Sequence, residues 1–149
     1  MRDAMGGSVV LIIIVVFIVI TLGYMAFNVN YTKAFRMKNK VISVYEDYKG
    51  TCESTNKSFC EKELKEYAKS IGYSSNNNLN CKDDYQERYN LYCVKKLEVS
   101  EQSDELINES KSKSYYRVMT KINVDIPVIR NILDLRFFYI TGDTKTFEE

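Results

Sequence analysis

The sequence predicts an α+β protein: an N-terminal transmembrane helix that continues as a spine, a small antiparallel sheet and one short helix, closed by disulfides. Three features predict it. They are an uncharged apolar run at residues 8–27, a change of apolar period from helical to two near residue 87, and four cysteines confined to residues 52–93. The chain divides accordingly into a short head (1–7), a transmembrane helix (8–27), a juxtamembrane helix (28–49) and a small α+β ectodomain (50–149).

The run SVVLIIIVVFIVITLGYMAF carries no charge over residues 8–27, and at a helical rise of about 1.5 Å per residue it spans roughly 30 Å, the thickness of a bilayer's hydrocarbon core. Val9 to Ile20 is almost wholly β-branched, which in water favours strand. In lipid each backbone group must find its partner within its own segment, so helix prevails. A cleaved secretory signal ends in a small-x-small site, whereas this run ends on Tyr24, Met25 and Phe27, so residues 8–27 are expected to stay in the mature chain.

Beyond the span, Ala34, Met37, Val41, Val44 and Tyr48 recur at steps of three and four, and no proline or glycine intervenes before Gly50. One helix from Ser8 to Tyr48, about 60 Å long, is therefore expected to serve as a spine against which the domain packs. Tyr24 and Tyr31 straddle the expected membrane interface, where amphipathic rings sit well. Lys33, Arg36, Lys38 and Lys40 follow without an acidic residue among them and are read as snorkelling cations in contact with phospholipid headgroups. The lipid bilayer is thus the first expected partner.

In the middle segment, Ser58 and Glu61 have the spacing of a capping box, Leu64, Tyr67, Ala68 and Ile71 make one apolar stripe, and Gly72 supplies a left-handed stop. A helix is expected near residues 59–71, followed by a polar loop at SSNNNLN. Period-two patterns then predict three strands: through Tyr89, Leu91, Cys93, Leu97 and Val99; through Tyr116, Val118, Thr120, Ile122, Val124 and Ile126; and through Leu133, Leu135, Phe137 and Tyr139. The charged segment SEQSDELINESKSKS and the lone proline in IPVIRNI are expected to connect them, and Gly142 and Asp143 to form a tight turn.

Cys52, Cys60, Cys81 and Cys93 are an even set in a domain that follows a membrane anchor, which points to two disulfides and an oxidising compartment. With no close CxxC pair and no histidine, a metal site is not expected. Four cysteines allow three connectivities, and sequence alone does not select one. The expected pairing is Cys52 with Cys60 and Cys81 with Cys93, because it closes short loops beside the helix and the first strand. The basic cluster on the C-terminal side of the span argues the other way under the positive-inside rule. The cysteines outweigh it, so the domain is expected outside, with a cytoplasm-facing accessory subunit carrying reduced cysteines as the alternative.

A net charge of +1 gives no footprint for nucleic acid. The sequence has no histidine, no GxSxG elbow and no phosphate-cradling GxxxxGK, so an enzyme, a cofactor and a small-molecule substrate are not expected. An envelope enzyme would have to work with carboxylates and hydroxyls alone. The neighbours Asp83 and Asp84 read as solvated charge, and the abundant tyrosines read as ordinary strand packing.

A short charged head, the glycine pair Gly6 and Gly7, an apolar helix leaving the membrane as a spine and a C-terminal antiparallel sheet with a disulfide-closed region together resemble a type IV pilin or pseudopilin. The resemblance covers the layout of the whole chain. It implies processing after Gly7 and homo-assembly through the apolar helix. Counted from Ser8, the fifth residue is Ile12, where that family usually has glutamate. The expected function is binding or assembly with protein partners at the cell envelope.

Overall fold

The computed structural model describes residues 2–74, 79, 81–82, 84–99, 113–122 and 138–148. Helix α1 (Arg2–Asp47) is unbroken, and at 1.5 Å per residue it is about 70 Å long. Its two halves differ in environment. Val9 to Ile20 are all exposed, whereas Ala34, Met37, Val41, Val44 and Tyr45 are buried almost completely along one stripe. The helix ends in a Schellman motif: Lys49 and Gly50 take positive φ, the Gly50 amide donates to the Tyr45 carbonyl at 2.8 Å and the Lys49 amide to that of Glu46 at 3.1 Å. A Cβ on Gly50 would fall 2.9 Å from the Tyr116 ring, so both backbone and packing call for glycine there.

A short 3-10 turn (Thr51–Glu53) leads to helix α2 (Lys57–Ser70). The expected capping box is not formed. Ser58 lies inside the first turn, Asn56 occupies the cap position without a side-chain cap bond, and its side-chain Nδ2 donates instead to the Thr51 hydroxyl at 2.8 Å. The Cys52–Cys60 disulfide joins the turn after α1 to the first turn of this helix. The other end is as the sequence indicates: Gly72 is left-handed, and the Gly72 and Tyr73 amides close a second Schellman motif on Lys69 and Ala68.

The strands are β1 (Gln86–Arg88), β2 (Tyr92–Val99), β3 (Lys113–Ile122), β4 (Phe138–Asp143) and β5 (Phe147–Glu148). They form one antiparallel sheet in the order β1-β2-β3-β4, with β5 beside the start of β3. Tyr116, Val118, Thr120 and Ile122 of β3 are buried together, as their spacing predicts, and with Tyr92 and Val94 they face α1. Leu64 and Ala68 of α2 complete this core. The opposite face is also covered: Leu79, Cys81 and Tyr85 lie over Cys93, Met119 and Tyr139.

Two strand expectations change. Tyr89 and Leu91 belong to the tight turn between β1 and β2, in which Tyr89 and Asn90 both have positive φ and the Leu91 amide donates to the Arg88 carbonyl at 3.0 Å. Cys93, Leu97 and Val99 share one face of β2, as their spacing predicts; that face turns away from the spine, and Tyr92 and Val94 meet the spine instead. Gly142 and Asp143 are in β4, paired with Val118 and Arg117, and form no turn. Asp143 receives two hydrogen bonds from the Arg117 guanidinium, which holds its carboxyl below the usual range. A Cβ on Gly142 would meet Ile42 Cδ1 at 2.9 Å and Lys38 Cδ at 3.0 Å, so this glycine lets β4 lie close against the spine. Val124, Ile126, Leu133, Leu135, Phe137, Asp83 and the proline connection lie outside the described residues, as does most of the charged connecting segment, of which Lys113 and Ser114 are in β3.

Candidate functional site at the membrane-proximal end of the spine

The two disulfides pair Cys52 with Cys60 and Cys81 with Cys93, with Cα separations of 5.7 and 5.8 Å. The first ties the turn after α1 to α2. The second pins the strap carrying Leu79 to the back of β2. All described cysteines are used.

Behind the first disulfide lies an aromatic core. The Tyr45 and Tyr92 hydroxyls share a hydrogen bond at 3.3 Å, and the Tyr45 ring meets those of Tyr92 and Tyr116 edge-on at 6.2 and 5.1 Å. Desolvation by burial raises the pKa of Tyr45, Tyr73 and Tyr92 well above the usual phenol value. These phenols stay protonated near neutral pH and act as packing and hydrogen-bonding groups. Among the described residues no three His, Cys, Asp or Glu side chains gather as a metal would require.

The residues at the expected membrane interface are distributed around α1. Tyr24 and Tyr31 are both exposed. Phe27, Tyr31 and Phe35 stack at four-residue steps with centroids 6.3 Å apart, and Phe138 of β4 meets Phe27 edge-on at 6.2 Å. The four cations part company. Lys38 places its ammonium 4.5 Å above the Phe35 ring and its stem over Gly142. Lys40 is bound to Glu63 of α2 at 2.6 Å, partly shielded from solvent, and so ties α1 to α2. Lys33 and Arg36 instead line a cleft of about 500 Å³ with Asn28, Val29 and Thr32 of α1 and Ser70 and Ile71 at the end of α2. Gly7 is exposed on the apolar half of α1, with nothing within 4 Å of where a Cβ would lie.

No family model, curated protein or solved structure matches this chain. Its description therefore rests on its own geometry: a helix long and apolar enough to cross a membrane, carrying a disulfide-bonded α+β domain on its C-terminal half. Sequence reasoning missed the cleft and β1. The cleft depends on where α2 ends against α1, a tertiary relation. The turn after β1 hides its signal, because Tyr89 in a left-handed conformation gives none of the glycine cues that mark such corners.

Proposed function

We propose that this protein is a single-pass, membrane-anchored subunit that presents its domain on the outer side of the membrane and works by binding or assembly at the cell envelope, without catalysis. One observation carries the reading. The helix whose exposed apolar half fits a bilayer is the same helix whose other half forms the centre of the domain's core, with no intervening break. Such a domain is coupled rigidly to its anchor and held at a fixed height above the membrane, which suits a structural or docking subunit.

The exposed face from Val9 to Ile20 has no covering within the described fold and must be met by lipid tails or by like helices. Assembly through that face is the pilin-like form of the proposal. A photo-crosslinking residue at Ile14 tests it in native membranes: homomeric or partner adducts support assembly, and lipid adducts alone contradict it. The opposite orientation draws on one observation, the cations Lys33, Arg36, Lys38 and Lys40 just beyond the span. Two disulfides in one small domain weigh against it.

A further inference from the structure

The cleft that holds Lys33 and Arg36 has a chemistry of its own. Among the described residues neither cation has an acidic partner, in contrast to Lys40, which is bound to Glu63. Lys33 reaches the far wall, where its ammonium would lie 3.4 Å from a Cβ on Gly72, at the C-terminal end of α2 that favours positive charge. Arg36 stands one turn further along α1, and Asn28 and Thr32 bring polar groups to the same wall. The cleft opens directly above the apolar run: Lys33 is six residues past Phe27, about 9 Å along the axis, close to the depth of one headgroup layer.

Below the cleft the helix surface changes character on the same face. Ile18, Leu22, Met25 and Val29 follow at steps of four, three and four, all at least half exposed, and lead to Lys33 and Arg36 at the next turns. An acyl chain lying on that stripe would deliver its headgroup to the two cations.

We propose that this cleft binds an anionic phospholipid, with the phosphate held between Lys33 and Arg36 and an acyl chain along Val29, Met25, Leu22 and Ile18. This rests on the anchored reading above and adds the ligand that fixes depth and rotation of the spine. Guanidinium and ammonium groups both suit phosphate, and the apolar stripe selects an esterified phosphate over a free one. The partner chemistry is therefore a phosphodiester with hydrocarbon attached.

The test reconstitutes the full chain in nanodiscs of phosphatidylcholine with or without phosphatidylglycerol and reads the lipid retained by native mass spectrometry after extraction. The expected result is selective retention of phosphatidylglycerol, lowered about fivefold by either Lys33→Gln or Arg36→Gln, as suits a surface cation near anionic lipid. Lys38→Gln removes the same charge from another face of α1 and should leave retention unchanged. Val29→Trp fills the cleft mouth without altering charge and should lower it.

Equal retention of both lipids, or an effect of Lys38→Gln matching that of Arg36→Gln, would overturn the site in favour of diffuse attraction. Displacement of the lipid by inorganic phosphate would overturn the lipid assignment in favour of a free anion. Failure of the anchoring itself looks different: the chain would not enter the nanodiscs at all.

Discussion

The buried hydroxyl of Thr120 donates a hydrogen bond to the Ala34 backbone carbonyl at 3.1 Å, joining the C-terminal part of β3 to the first buried turn of the spine's core-facing half. Both residues are fully shielded from solvent, and the bond sits where the helix passes from an exposed apolar segment into the domain core. It anchors the sheet to the helix at one height and one rotation. A valine has the right shape for the site but cannot donate, and the Ala34 carbonyl is already placed to accept within its own helix. Thr120→Val should therefore cost about 1 kcal/mol, the net value of one such bond. Chemical denaturation checks the magnitude, and an unchanged midpoint would show that packing alone holds the sheet in place.

Gly50 combines a positive φ with an imminent clash against the Tyr116 ring. Gly50→Ala should destabilise by about 2–3 kcal/mol, the sum of a left-handed alanine and an overpacked aromatic contact. Gly7 provides the control, because nothing lies near it in the fold. Gly7→Ala should leave the melting of the domain unchanged.

The aromatic core gives an alkaline limit to stability. Burial raises the pKa of Tyr45, Tyr73 and Tyr92 above the unfolded value near 10. A raised folded value means that the stabilising contribution is complete below that unfolded value and is lost as the pH climbs beyond it. The domain should hold its stability up to about pH 10 and then weaken steadily, with tyrosinate absorbance of this set appearing together with unfolding. Ionisation of all tyrosines in a domain that stays folded would contradict this.

The legible part of the fold was the part with a clean period. The helical stripe Ala34, Met37, Val41 and Val44 and the alternation Tyr116, Val118, Thr120 and Ile122 each arise where one element meets one apolar surface, so burial writes directly into sequence. In β2 the shared face of Cys93, Leu97 and Val99 is legible, but the side that meets the spine is not, because Tyr92, Cys93 and Val94 are all buried and double burial erases alternation. Gly142 read as a turn because glycine in a strand and glycine in a turn look alike until the close approach of Ile42 and Lys38 is seen. At the site, the cations were visible as a run. Their division into a Glu63 partner, an aromatic ring and an open cleft depends on α2 and on helical phase.

The disulfides join cysteines 8 and 12 positions apart in the sequence, for which chain-entropy reasoning gives about 2–4 kcal/mol each. Replacing Cys52 and Cys60 together by alanine should release the start of α2 and lower stability by that amount, with the Cys81–Cys93 peptide still recovered in non-reducing maps. Recovery of a Cys60–Cys81 or Cys52–Cys93 peptide from the unaltered protein would contradict the pairing.

The central claim is that the domain lies on the oxidising side of the membrane, and a single accessible thiol tests it most directly. Glu66 is exposed on α2, and the described cysteines are all engaged in disulfides, so Glu66→Cys adds one reactive site. In intact cells treated with a membrane-impermeant maleimide, the account predicts labelling of that thiol before any permeabilisation. Labelling only after the membrane is opened, with the four native cysteines also reactive, would place the domain in the cytoplasm and contradict it.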